Sequence, residues 1–185
     1  MNKKFAVVSA ALLSCICLAS CAQECTLAEL TAQASQYSLS EVREEYSGCT
    51  QKTESYWKTD SDSVILQAAL KIAYGGGENG EKTTTETSTA VAVAAAADLT
   101  GVADLVNVDS DSIKYYLDGT AIKITADYEG DYELAGYSGT GSVSYEFTTY
   151  SDGRLKKGST KTVLDGDSIG HIETSVVLTY SYTKA

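Results

Sequence analysis

Apolar and polar positions alternate most strictly toward the C-terminal end of the chain. Val143, Tyr145, Phe147 and Thr149 alternate with Ser142, Ser144, Glu146 and Thr148. Ile172, Thr174, Val176, Leu178, Tyr180 and Tyr182 alternate with Glu173, Ser175, Val177, Thr179, Ser181 and Thr183. A period of two with one polar face predicts antiparallel strands that cover a core on one side only. Asp118-Gly119, Asp152-Gly153 and Asp165-Gly166 fall between β-prone runs, and Asp-Gly suits tight hairpin turns because both residues tolerate positive φ. Six runs follow, at about 112–117, 120–128, 131–138, 141–150, 154–164 and 171–183. Short turns between them make an antiparallel meander, closed as a sandwich or a half-barrel.

Nearer the front the period changes to that of a helix. Leu27, Leu30, Ala34 and Tyr37 recur at helical spacing, as do Leu39, Val42 and Tyr46. Thr26 with Glu29, and Ser38 with Glu41, each match the reciprocal capping box that opens a helix, and Gly48 is the expected stop. One helix from Cys25 to Cys49 would be roughly 36 Å long. A bridge between those cysteines holds their Cα atoms within about 7 Å, so two short helices are expected to fold back near Tyr37 and Ser38, making residues 26–47 a helical hairpin. The expected class is α+β and β-rich: that hairpin followed by the sheet over 112–183.

The middle is less legible. Residues 51–60 are polar around Tyr56 and Trp57 and receive no assignment. Val64 to Tyr74 fits either period, and the Asp60-Ser61-Asp62-Ser63 start with the Gly75-Gly76-Gly77 stop favours a helix. Residues 75–82 read as a mobile loop, Thr83 to Thr89 as β-prone, and Ala90 to Ala97 as a helix or a small-residue strand.

The first twenty residues follow neither pattern. Lys3 and Lys4 precede an almost unbroken apolar stretch from Phe5 to Ala19. That stretch is shorter than the roughly 20 residues a bilayer span needs and matches a removable export signal. Leu18-Ala19-Ser20-Cys21 resembles the lipobox of bacterial lipoproteins. The resemblance implies cleavage before Cys21, a diacylglycerol on its sulfur, and a single lipid-anchored domain over 21–185 behind a signal at 1–20. It also implies attachment to the cell envelope, with Ala22 after the cysteine pointing to the outer membrane. An ordinary cleavable signal, with Cys21 merely early in the mature chain, is the alternative.

Composition narrows the partners. Without Lys3 and Lys4, 12 basic residues face 25 acidic ones, a net charge of −13. Such a surface repels phosphate backbones, which excludes nucleic acid as the expected partner. Thirteen tyrosines and many Val, Ile and Leu residues argue for a packed core rather than disorder. No proline is present, so there is no proline-rich stalk. Cys15 and Cys17 leave with the signal. Cys25 and Cys49 remain as a pair that an oxidising compartment would join, closing a loop of about 25 residues worth roughly 3–4 kcal/mol; two free thiols are the alternative.

Candidate chemistry is sparse. Asp60-Ser61-Asp62-Ser63, Asp109-Ser110-Asp111-Ser112 and Asp165-Gly166-Asp167-Ser168 place carboxylates one residue apart, as calcium ligands can be. None supplies the remaining ligands of an EF-hand loop, and Asp and Ser are equally what caps and turns require. Gly75 and Gly80 stand at phosphate-loop spacing, but Glu81 occupies the place of the phosphate-binding lysine. His171 is the only histidine, and no Gly-x-Ser-x-Gly elbow frames any serine. No catalytic, cofactor-binding or metal-binding residue is assigned, and no cofactor is expected beyond covalent lipid on Cys21.

Nine of the thirteen tyrosines lie after residue 114, where they suit either a strand or a contact surface. The expected function is a non-catalytic structural or protein-interaction domain held in the envelope. The run Ser144 to Thr183 is similar to the half-barrels of lipid-carrying envelope lipoproteins, which makes a carrier of lipid or a small apolar ligand the alternative. A hydrolase using His171 and carboxylates is a third expectation.

Overall fold

The computed structural model describes residues 22–37, 39–94, 99, 101, 108–128, 132–134 and 137–185. The lipobox, Cys21 and the first of the two residues proposed to cap the second helix, Ser38, lie outside them. So do residues 95–97 of the Ala-rich run.

The expected β-rich α+β class is the one observed. Among the described residues, three short helices of defined extent accompany an open antiparallel sheet. Its strands are β1 (Gln23–Cys25), β2 (Tyr46–Thr59), β3 (Lys82–Thr89), β4 (Lys114–Asp118), β5 (Ala121–Asp127), β6 (Tyr132–Leu134), β7 (Tyr137–Thr149), β8 (Leu155–Gly166) and β9 (Gly170–Lys184). The order across the sheet is β1-β4-β5-β7-β8-β9-β2-β3, and the short β6 pairs with the start of β7. The meander predicted from alternation is the run β4-β5-β7-β8-β9. The strands form one open sheet, not a sandwich of two.

Two parts of the chain join this meander that period two did not reveal. β2 occupies the unassigned residues 51–60 and begins earlier, at Tyr46, so the second helix stops at Glu45 and Gly48 lies in a strand. β2 pairs along its whole length with β9, from Tyr46 opposite Lys184 to Thr59 opposite Ile172, with a bulge between Tyr46 and Gly48. It reads as polar because β9 and β3 supply its backbone partners while only Tyr46, Cys49, Trp57 and Thr59 are buried along it. Short β1 closes the other edge against β4.

The helices lie on one face. Helix α1 (Leu27–Ala34) starts with the expected capping box: the Thr26 backbone N–H donates to Glu29 Oε2 at 2.7 Å, and the Glu29 N–H donates to Thr26 Oγ1 at 3.3 Å. Leu30 and Ala34 carry its buried side against Ile122 and Ile124 of β5, joined by Leu99. Helix α2 (Leu39–Glu45) puts Val42 against Tyr46 and Val91. Helix α3 (Val64–Tyr74) seats Leu66 and Leu70, both fully buried, on Trp57, Leu164, Ile169 and Ile172. Burying each such leucine is worth about 1.5–3 kcal/mol. That outweighs one local cost, the Trp57 indole N–H, which is buried without an acceptor among the described residues at about 1–3 kcal/mol.

The turns carry the glycines expected of them. Gly119 (φ 59°) and Gly153 (φ 83°) take positive φ in the β4–β5 and β7–β8 connections. The β8–β9 turn falls one step beyond the predicted Asp165-Gly166: both residues remain paired, and Gly170 (φ 64°) reopens the strand.

A polar anchor holds the β7–β8 turn to the far part of the sheet. The Arg154 guanidinium lies 3.8 Å from the ring centre of Tyr46, 4.6 Å from that of Tyr150 and 4.8 Å from that of Tyr182. Its Nε donates to Asp152 Oδ2 at 2.7 Å. Burial works against its charge, but the Asp152 hydrogen bond and the negative charge beside it raise the pKa overall. Burial likewise pushes the Tyr182 hydroxyl up, and that hydroxyl lies 2.6 Å from the Leu155 carbonyl and 2.8 Å from that of Ala92.

Candidate functional site

Helix α3 is apolar on both sides. Its start is fixed by Ser63, whose Oγ accepts the Leu66 N–H at 3.3 Å, and by the Gln67 side chain donating to the Ser61 carbonyl at 2.8 Å. Its end is fixed by Gly75, whose φ of 104° stops the helical turn. Successive residues advance 100° around the axis, which sends Leu66, Leu70 and Tyr74 down onto the sheet. The same geometry sends Val64, Ala68, Ile72 and Ile65 outward in one stripe. Val64 is 79 % exposed, Ile65 65 % and Ile72 85 %. Single exposed aliphatics are ordinary, but three on one helix face form a patch of the kind that marks a contact surface.

Charge frames the stripe. Asp60 and Asp62 are exposed before the helix, and Glu78 and Glu81 are exposed beyond it. Lys71, on the flank, is held by Glu78. The loop behind this rim is built, not loose as its composition suggested. Asn79 acts as a substitute strand: its Nδ2 donates to the Thr59 carbonyl at 2.8 Å, and its Oδ1 accepts the Thr59 N–H at 2.9 Å. The Gly80 N–H donates to the Trp57 carbonyl at 2.9 Å. Glu81 turns its carboxylate back to the Glu78 N–H, so the segment that resembled a phosphate loop presents acid rather than a cradle.

The two cysteines are free and are not brought together. Cys25 ends β1 and Cys49 sits in β2, six places away in the sheet order. A disulfide needs Cα atoms within about 7 Å, so the expected bridge is not made. Closing the helical hairpin does not require it, because the two helices dock separately on the sheet. Cys49 is buried, with its Sγ 3.2 Å from the Ala90 carbonyl. Burial pushes the Cys25 thiol up, and Glu29 and Glu24 add to it.

The Asp-Ser segments serve the backbone. Ser63 caps α3, and Asp109 Oδ1 accepts the Asp111 N–H at 3.0 Å to cap a 3-10 turn over Ser110–Ser112. Two of the three segments meet at one corner, although they lie more than a hundred residues apart. Asp60 Oδ1 accepts the His171 backbone N–H at 2.7 Å, and Asp165 Oδ1 lies 2.7 Å from His171 Nδ1. Of the Asp165–His171 pair, the Asp165 side chain is mostly in solvent and the His171 side chain a little under half so. Among the described residues no group of three or more His, Cys, Asp or Glu is placed to hold a metal ion. No described helix is long and apolar enough to cross a membrane.

The chain matches no protein family, no curated protein and no solved structure.

Proposed function

We propose that this chain is a lipid-anchored, non-catalytic interaction domain of the cell envelope, which docks a protein partner on α3. The observation that carries the reading is the outward stripe of Val64, Ile65 and Ile72. Burying it removes aliphatic surface from water at about 25 cal/mol per Å². Acid at both ends of the stripe specifies a partner that is apolar at its centre and basic at its rim. A second copy would bring like charges together, and an anionic bilayer would be repelled.

The anchor fits this arrangement. Lipid on Cys21 would enter at β1, whereas α3 sits over β8, β9 and β2, four to six strands away. At about 4.8 Å per strand that is roughly 19–29 Å, which leaves the stripe free to meet a partner away from the tether.

Two measurements test the proposal. Cys21→Ser should shift the protein out of the detergent phase, and unchanged partitioning removes the anchor. A photo-crosslinking residue at position 72 should give one discrete protein adduct in cells, lost when Ile65→Glu is added. Adducts to lipid alone, or none, overturn the docking face.

A further inference from the structure

The sheet face opposite the helices has no covering layer among the described residues, and near one end it holds a groove of about 260 Å³. Ser112 of the preceding 3-10 turn borders it, its hydroxyl accepting the Asp127 N–H and donating to the Asp109 carbonyl. The lining also includes six outward-facing side chains of the strands: Lys114 and Tyr116 of β4, Thr125 and Asp127 of β5, and Ser142 and Ser144 of β7. Register places them. Lys114, Thr125 and Ser144 form one row across the three strands. Tyr116 stands one same-face step to one side of Lys114, and the Asp127–Ser142 pair stands one step to the other side of Thr125 and Ser144. With strands about 4.8 Å apart and same-face neighbours about 6.8 Å apart, the patch measures roughly 10 by 14 Å. That is the footprint of two linked sugar rings.

The chemistry of the lining points the same way. None of the six side chains makes a hydrogen bond or ion pair with another, and Lys114 and Asp127 share the groove without neutralising each other. The groove thus offers an ammonium donor, a carboxylate acceptor and hydroxyls of both kinds, all uncommitted to one another. One charge of each sign gives no preference for an anion, in a chain whose overall charge of −11 already disfavours one. The half-buried Tyr116 supplies a flat apolar plane with a polar tip. A neutral pyranose is complementary to this set, with one C–H face for the ring and a rim of hydroxyls for Lys114, Asp127 and the serines.

We propose that this groove binds neutral pyranosyl units, either of a free oligosaccharide or of an insoluble envelope polysaccharide. Tyr116 is the stacking platform and Lys114 and Asp127 are the polar clamps. The site is separate from α3 and does not depend on the docking reading. An open groove with few contacts gives weak binding, with Kd on the order of 1 mM.

The test uses the full chain in detergent. Soluble maltotriose, cellotriose and chitotriose are screened by saturation-transfer NMR and calorimetry, with trigalacturonate as the anionic control. Insoluble chitin and peptidoglycan are tested by co-sedimentation. Binding of a soluble neutral trisaccharide supports a free ligand, and binding confined to an insoluble polymer supports the envelope glycan. In either arm Tyr116→Ala should weaken binding at least tenfold and the exposed change Asp127→Asn about fivefold. Tyr116→Phe, which keeps the platform, and Ser88→Ala, far across the same face, should stay within twofold. No binding to any neutral probe, stronger binding to trigalacturonate, or an undiminished Tyr116→Ala variant overturns the proposal.

Discussion

Replacing Arg154 with alanine removes one of the contacts that tie the β7–β8 turn to the beginning of β2 and the end of β9, leaving the Tyr182 hydroxyl on the Leu155 carbonyl. The side chain is only 12 % exposed and its guanidinium lies within 4.8 Å of three tyrosine ring centres. A largely desolvated cation–π contact is worth about 1–2 kcal/mol, and the three rings share one charge, so their sum falls well short of three such contacts. The pair with Asp152, whose carboxylate is one-third exposed, adds about 1 kcal/mol at most. Lost packing of the aliphatic stem contributes further. The expected destabilisation is about 3 kcal/mol, or a fall in Tm of about 6–12 °C for a domain of this length. Arg154→Lys keeps the charge but not the plane that faces all three rings, and should cost about half as much. Urea unfolding followed by circular dichroism and by fluorescence of buried Trp57 measures both variants. A loss below about 1 kcal/mol for alanine, or equal losses in the two variants, refutes the assignment of this cluster as a charge-dependent anchor.

Three further outcomes are expected. On α3, Ile72→Glu should change folding stability by no more than about 0.5 kcal/mol, whereas Leu70→Ala on the opposite side should cost about 2–5 kcal/mol; comparable losses by denaturant titration would contradict the described orientation of the helix. Asn79→Ala removes both hydrogen bonds to the Thr59 backbone and should cost about 1–3 kcal/mol while making residues 77–81 cleavable by added protease; continued resistance would show that glycine geometry alone holds the loop. Glu29 accepts from the Thr26 backbone and hydroxyl, which lowers its carboxyl pKa in the folded chain. A lowered folded-state pKa contributes stability above the unfolded value and loses it as pH falls through the folded one. A carboxyl carbon titration should therefore place Glu29 below the usual glutamate value, and Glu29→Gln should flatten the acid limb of the stability curve. A midpoint at or above the usual value contradicts the capping box.

How much of this was legible depended on whether each segment's own residues decided its structure. Thr26 and Glu29 form their capping box within four residues, and β7 and β9 each carry a period-two pattern, with β8 delimited between them by glycine turns, so both halves could be read directly. β2 could not. Its residues are mostly Ser, Thr, Gln, Lys and Glu, and its place in the sheet comes from β9 and β3, which lie far off in sequence. The disulfide failed for a related reason: spacing placed Cys25 and Cys49 at the two ends of a hairpin, but once Cys49 belongs to β2 the sheet order separates them. On α3 the apolar residues were visible, yet only the docked helix shows which of them face water. The Tyr116 groove was invisible because its six side chains come from three strands, and no local motif joins them.

The pairing of β2 with β9 also sets the order in which the molecule can be finished. Residues 46–59 are made early, yet their long partner spans residues 170–184, and such distant closure is slow because the intervening chain must first be gathered in. Until β9 is available, β2 can be paired on one edge only, by β3. The β2–β9 ladder is the only strand pairing that joins the β2–β3 ribbon to the rest of the described sheet, so until it zips the two ends of the sheet stay separate bodies.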